Sequence, residues 1–460
     1  MPDPLDAVSP LDGRYAGRTA PLRQYASESA LMRARTRVEV AYLLALADEP
    51  GVPLELSDDE RERCLAVAEG FDDEDARLVK TIETEGYEAF PATNHDVKAV
   101  EYLLRVRLAD GLERVYPWLH FGLTSEDVTN LAYRLLVRGA VTEVLTPTLV
   151  AVRDRLADLA REHRATPMLA RTHGQPATPT TFGKELAVYV ARLDRGLGRL
   201  ERATDELAGK LAGASGTYAA HVAALPDVDW RGFSRRFVED LGLRHVPLAT
   251  QVNPGDDLAA VFDALRGLDR VVVDLDRDVW LYVSMGYLDQ RTVAGETGSS
   301  TMPHKVNPID FENAEGNLEK AISDLDVLSA GVTNSRLQRD LSDSTVKRNV
   351  GAALAYCLLG YGKTRDGLEK LDPAVDAMRA DLEAHPEVLA EAVQTVLRRE
   401  GHADAYERVK ALTRDRAVTL ESLRAAIGEL DVDPSVVDEL QSLEPADYVG
   451  LAAELVDDLP

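Results

Sequence analysis

Cysteine is nearly missing from the 460 residues: only Cys64 and Cys357 occur, far apart and without metal-ligand spacing. A disulfide framework and a thiolate metal cluster are both excluded by that count, and either thiol fits a buried apolar position in a reducing cytoplasm. Long apolar runs are lacking too. No apolar run is expected to approach the ~20 residues that a bilayer span needs, so no membrane association is expected. The amino terminus, MPDPLDAVSP, has no basic region followed by an apolar stretch, and no secretory signal is expected. Lysine is scarce, so arginine supplies most of the positive charge. Against 52 Lys and Arg stand 79 Asp and Glu, a formal net charge of −27. Such a field repels nucleic acid and anionic membrane, which are therefore not expected partners. An acidic, lysine-poor surface suits a high-salt cytoplasm, where the Debye length falls to ~3 Å at 1 M, although an ordinary acidic enzyme has the same composition. In either case an anionic ligand needs a local pocket of clustered Arg and Lys. Alternating strand patterns, internal repeats and low-complexity tracts are also hard to find.

What is present is helical period. Leu31, Val38, Tyr42 and Leu46 fall on one face, and a longer pattern runs from Val128 to Leu159 with Pro147 set to kink it. Further helical stretches span Gly183–Leu211, Asp256–Met285, Pro308–Leu328 and Thr345–Leu371. Helices this long each need a partner for an apolar stripe, which predicts an all-α protein built on a helix bundle. Breaks near Val115–Trp118 and Leu371–Pro373 divide it into an amino-terminal helical domain (1–116), a central long-helix bundle (117–368) and a carboxy-terminal helical domain (369–460).

Five segments interrupt the helical texture with Gly, Ser, Thr, Pro, His and Asn, and such loops are where chemistry usually sits. The run GSSTMPHKVNP (298–308) carries hydroxyls, a lysine and an asparagine between glycines and prolines, and can close on an anion. It reads equally as a polar connection whose serines cap the next helix. RTHGQPATP (171–179) puts His173 on a turn between Gly and Pro, the best acid–base candidate among the histidines. Thr124-Ser125-Glu126-Asp127 and Thr93-Asn94-His95-Asp96 both stand at helix starts, as plain caps or as carboxylate-binding sites. RDLSDSTVKR (339–348) gathers hydroxyls and cations before a helix, as a phosphate monoester requires, or as a solvated charge run does.

Together these segments resemble the fumarase/aspartase superfamily of homotetrameric lyases over nearly the whole chain. GSSTMPHKVNP is similar to its signature, and RTHGQPATP, NHDVKAVE and RDLSDSTVKR narrow the resemblance to the adenylosuccinate lyase family, in its longer bacterial form. The resemblance implies β-elimination of fumarate from two succinylated purine nucleotides, adenylosuccinate and succinylaminoimidazole-carboxamide ribotide, with no metal or organic cofactor. By that likeness Ser299 is the base and His173 the acid. Lys305 and Asn307 hold the succinyl carboxylate, with Thr124, Ser125 and Ser300 on carboxylate oxygens and Gln251 near the reacting groups. Arg14 and Tyr15, with Arg339, Ser344, Thr345 and Arg348, take phosphate and ribose, and Asn94, His95 and Asp96 complete the nucleotide contacts. It further implies a homotetramer in which three subunits share each site. Glu85–Ala92 (EGYEAFPA) lengthens the approach to Asn94-His95-Asp96 beyond the family pattern and is expected to alter how that loop closes. Argininosuccinate lyase, aspartase, fumarase and a non-catalytic helical scaffold are the competing readings.

Overall fold

The stripe Leu31, Val38, Tyr42 and Leu46 lies on one helix, Glu28–Asp48, opened by the Ser27 hydroxyl accepting the Ala30 amide at 3.1 Å. Val38, Tyr42 and Leu46 are wholly buried on it. The computed structural model describes residues 4–291, 302, 305–413 and 418–459. The other expected helices form with shifted ends, as Phe182–Asp205, Asp256–Ser284, Ile309–Val332 and Val350–Leu368. They pack at small residues. A Cβ on Gly196 would fall 2.3 Å from Leu268, and one on Gly360 2.3 Å from Leu318, so each glycine lets its helix approach a neighbour closely. Val271–Val273, β-branched but in helical register, sit inside the Asp256–Ser284 helix.

Two compact units alternate along the chain. Residues 1–149, 196–270 and 316–361 form the first, and 150–195, 271–315 and 362–460 the second. Every boundary between them falls inside a long helix. The second unit has a carboxy-terminal core of its own, built from Leu389, Val393, Leu397, Val409, Leu423, Ile427 and Leu440.

Pro147 breaks the regular helix as its missing N–H requires. Val141–Leu145 is a single π-type turn in which the Thr146 amide reaches back five residues to the Val141 carbonyl, and the α-helix resumes at Thr146–Glu162. With that turn spliced in, 125–162 is one continuous helical stretch. By length and composition it could cross a bilayer, which corrects the expectation that no run is long enough. The stretch also carries Glu126, Asp127 and Arg134, all buried among protein partners.

The second correction concerns strands. Among the described residues there are four two-stranded pairs, and the largest is the antiparallel hairpin Pro167–Thr172 with Gln175–Thr181. Pro176 and Pro179 masked it in the sequence, because proline argues against a strand except at an edge. A smaller hairpin, Gly86–Tyr87 with Phe90–Pro91, is the form taken by the Glu85–Ala92 segment. Gly86 stands at φ +88°, where a Cβ would meet the Phe90 carbonyl at 2.7 Å, and Phe90 stacks on Tyr102 with centroids 4.4 Å apart.

Two carboxyls are buried in the long helices. Asp269 accepts the Tyr361 hydroxyl at 2.5 Å and the Cys357 thiol at 3.4 Å, and Asp276 accepts Thr364 at 3.0 Å. Burial pushes Asp269 up to about 7 despite the two donors, and pushes Asp276 up as well. An unfolded Asp ionises near ~3.9. Between that value and 7 the native state holds the extra proton at Asp269, so stability falls as pH rises through this window and levels off above it. Asp269→Asn should therefore raise the thermal midpoint at pH 8 and leave it unchanged at pH 4. Equal gains at both pH values would reject a protonated Asp269.

Candidate active site

His173 occupies the hairpin tip. Thr172 pairs with Gln175, so the loop is the two residues His173 and Gly174, at φ +54° and +73°. Two successive positive φ values are the mark of a type I′ turn, whose twist matches that of the flanking strands. The imidazole is exposed at the end of the hairpin, while Met168 and Leu169 bury its base. Arg171 pairs with Asp381 at 2.6 Å, and Tyr287 donates to the same carboxylate. Burial raises Asp381, but the Tyr287 and Arg171 bonds outweigh it and hold the group below the usual carboxylate range. Lys305 and Asn307 lie in this same second unit; the Lys305 amide donates to the Met302 carbonyl at 3.0 Å. Ser299 and Ser300 lie outside the described residues.

In the first unit, three chain segments that carry predicted site residues line one cleft of ≈ 240 Å³, joined by Leu31 and Arg35 from a fourth. Asn94, His95 and Asp96 come from one, Ser125 from the second, and Arg339, Ser344 and Arg348 from the third. Of the predicted site residues in this unit, Arg14, Tyr15, Thr124, Gln251 and Thr345 are not among its lining residues. Arg14 and Tyr15 sit on the turn where the Tyr15 amide meets the Pro10 carbonyl, and Gln251 donates to the Ala214 carbonyl.

His95 caps the Asp96–Arg107 helix, its Nδ1 accepting the Lys98 amide at 3.3 Å. That bond assigns the proton of a neutral ring to Nε2, which stands 3.3 Å from the Ser125 hydroxyl and donates to it. Asp96 accepts Arg35 at 2.8 Å and has Arg348 at 3.8 Å. Burial raises its carboxyl, yet the charge and hydrogen bond of Arg35 and the Val97 amide overcome this and lower it. Arg35 was missed in the sequence. It stands four residues after Leu31 and three before Val38, a charge inside an apolar stripe, and it is only 5% exposed.

The 339–348 segment differs from its sequence reading. Its hydroxyls precede the Val350–Leu368 helix as expected, but Ser342–Lys347 is itself a short helix carrying Ser344 and Thr345. Asp340 shapes the approach by accepting the amides of Arg336 at 2.9 Å and Ser342 at 2.8 Å, and these bonds with the Ser342 hydroxyl lower it to about 2. Arg339 donates to the Ser344 hydroxyl at 3.2 Å.

Thr124-Ser125-Glu126-Asp127 does open a helix, Ser125–Ala140, but its acids are not solvated first-turn residues. Asp127 is wholly buried and accepts the amides of Thr124 (2.8 Å), Ala212 (2.9 Å) and Gly213 (3.1 Å), with the buried Lys210 ammonium 2.8 Å away. Glu126 is wholly buried as well, on Lys347. Thus Arg35, Arg339 and Arg348 line one cleft with Ser125, Ser344 and His95, against the carboxylates of Asp96 and Glu83, in a chain of net charge −27. A phosphate or carboxylate is the ligand such a surface holds.

The chain matches the family described as Lyase over residues 13–322 and that described as Adenylosuccinate lyase C-terminal over 335–449. It is 44% identical over 460 residues to the adenylosuccinate lyase of Haemophilus influenzae, covering 99% of each chain. To that of Escherichia coli K12 it is 43% identical with 99% of each covered, and to that of Dictyostelium discoideum 40% with 97% of each covered. Among solved structures, a fumarate lyase from Mesorhizobium sp. BNC1 shares the fold at TM-score 0.76 and 24% identity, over 96% of this chain and 97% of that one. A β-carboxy-cis,cis-muconate cycloisomerase from Acinetobacter calcoaceticus sp. ADP1 shares it at 0.72 and 20%, with the same coverage. Likeness along the whole sequence, with the helical fold beneath it, makes this chain a member of the adenylosuccinate lyase family within the fumarase/aspartase superfamily.

Proposed function

We propose that this chain is a carbon–nitrogen lyase that eliminates fumarate from adenylosuccinate, giving AMP, and from succinylaminoimidazole-carboxamide ribotide, giving its aminoimidazole product. The observation that carries this reading is the cleft of Arg339, Ser344 and Arg348 beside Asn94, His95 and Ser125. A phosphate monoester uses those donors, whereas argininosuccinate, aspartate and malate have no phosphate to give them.

The chemistry follows from the bonds to be broken. A base takes the proton beside a succinyl carboxylate, the C–N bond breaks, and an acid supplies a proton to the departing nitrogen. The developing aci-carboxylate is the species that most needs stabilising. In this reading Ser299 is the base and His173 the acid. A serine hydroxyl gives up its proton only where water is excluded and positive charge is near, which assigns Lys305 a share in activating it. Lys305 and Asn307 hold the succinyl carboxylate, Thr124, Ser125 and Ser300 its oxygens, and Gln251 the reacting end. Arg14, Tyr15 and Thr345 join Arg339, Ser344 and Arg348 on phosphate and ribose.

The same proposal includes a cytoplasmic homotetramer whose sites are shared between subunits, the three-domain division at residues 116 and 368, and an acidic surface adapted to salt. Ultraviolet absorbance of released fumarate tests it with each nucleotide, in dilute buffer and in molar salt. Turnover of both is expected, faster in salt. Equal rates in the two buffers would remove the salt adaptation, and no turnover with either nucleotide would favour a non-catalytic scaffold.

A further inference from the structure

Glu126 belongs to no set of ligand-binding residues named so far, yet it touches the cleft from behind. It is wholly buried in the first turn of the Ser125–Ala140 helix, directly after the Ser125 that lines the cleft. One carboxylate oxygen accepts the Lys347 ammonium at 3.2 Å. The other is buried with no hydrogen bond among the described residues and stands 3.8 Å from the Arg339 guanidinium. Lys347, 5% exposed, is itself held by the buried Asp343 at 2.6 Å. Four ionic groups thus alternate in sign as Asp343, Lys347, Glu126 and Arg339, with only the last facing the cleft.

A buried carboxylate is costly unless it is paired, and Lys347 alone cannot neutralise both Asp343 and Glu126. The remaining charge is met by Arg339, whose position is thereby fixed before any ligand arrives. We propose that Glu126 is a positioning residue for the phosphate end of the ligand: it acts through Arg339, setting the guanidinium at the cleft wall beside the Ser344 hydroxyl to which it donates, where the two groups together meet a phosphate oxygen. This rests on the functional reading above, in which Arg339 meets phosphate. Pre-setting a long side chain removes part of the ordering cost of binding, so it lowers ground-state and transition-state energies alike.

Glu126→Gln keeps the shape and leaves Asp343 and Lys347 as a neutral pair, so folding is preserved. AMP and adenosine binding, read by calorimetry, and the kinetics on adenylosuccinate are compared among wild type, Glu126→Gln, Arg339→Ala and the double variant. The expected result for Glu126→Gln is about tenfold weaker AMP binding and a matching rise in KM, with kcat and adenosine binding unchanged. In the Arg339→Ala background, adding Glu126→Gln should change nothing further. Losses that add in the double variant, a fall in kcat at constant KM, or equal losses for AMP and adenosine would each overturn the proposal. If Arg339→Ala itself leaves AMP binding intact, the phosphate assignment of Arg339 fails, and this inference with it. If Arg339→Ala weakens AMP binding and Glu126→Gln does not, only the role of Glu126 fails.

Discussion

Replacing His173 with alanine is expected to lower kcat by ~10²–10⁴-fold, the usual reach of a positioned proton donor, while KM changes little. The geometry behind this expectation is unusual for a histidine. The residue is held at φ +54°, exposed, on a two-residue turn whose strands are anchored by Met168, Leu169 and the Arg171–Asp381 pair. Neither the turn nor the hairpin needs an imidazole, so its removal should leave the fold and nucleotide affinity in place. The pH–rate limb set by the departing nitrogen's proton donor should vanish with it. A second arm addresses the sharing of sites. His173→Ala and Ser299→Ala tetramers, each inactive, are dissociated together and reassembled. Active sites that draw the two groups from different subunits will recover measurable turnover in the hybrids, because some sites receive both intact residues. Near-normal kcat in His173→Ala would remove it as the acid, and hybrids with no turnover would place both groups in one subunit.

The second large effect is on stability. Asp127→Ala is expected to cost about 3–5 kcal/mol, the usual toll of leaving one partner of a buried ion pair behind. Asp127 and Lys210 are both completely buried, 2.8 Å apart. The same carboxylate takes three backbone amides, from Thr124, Ala212 and Gly213, so its loss strands an ammonium and three donors at once. Among the described residues Lys210 keeps the Gly213 carbonyl at 3.1 Å. Urea titration should show a lower midpoint, and Asp127→Ala with Lys210→Met should recover part of the loss by removing the stranded charge. A single-variant loss under ~1 kcal/mol, with no recovery in the double variant, would mean that the pair is not ionised in the fold.

These two sites differ in how far they could be read from residue order. The helix bundle was legible because its period persists over many turns, in Leu31 through Leu46 and Val128 through Leu159. The His173 turn was legible from Gly174 and Pro176, but its hairpin was not, since Pro176 and Pro179 argue against a strand that in fact runs along an edge. Charges inside apolar stripes were the hardest to interpret. Arg35, Glu126, Lys347, Asp269 and Asp276 all sit at helical positions where a polar residue ordinarily marks the solvent face, and Lys210 directly follows the short Ala208–Gly209 strand. Only the neighbouring elements reveal that each is buried against a partner. For the same reason the sequence pointed to Asn94, His95, Asp96, Ser125, Arg339, Ser344 and Arg348, and the fold gathers them, but the Arg35 and Glu126 supports behind them carried no motif. Ser342–Lys347 shows the limit from the other side: its hydroxyls lead into the Val350–Leu368 helix as expected, but on a short helix of their own that is too brief to show a period.

The turn at His173 has an evolutionary consequence. A left-handed backbone at a residue with a Cβ costs roughly 1–2 kcal/mol, which glycine would not incur and asparagine would incur less. A laboratory selection scored purely on heat resistance would drift away from imidazole at position 173, and each step along that path would look like an improvement until the product was assayed. In the reading proposed above, the imidazole holds that strained position for the proton it supplies rather than for the fold.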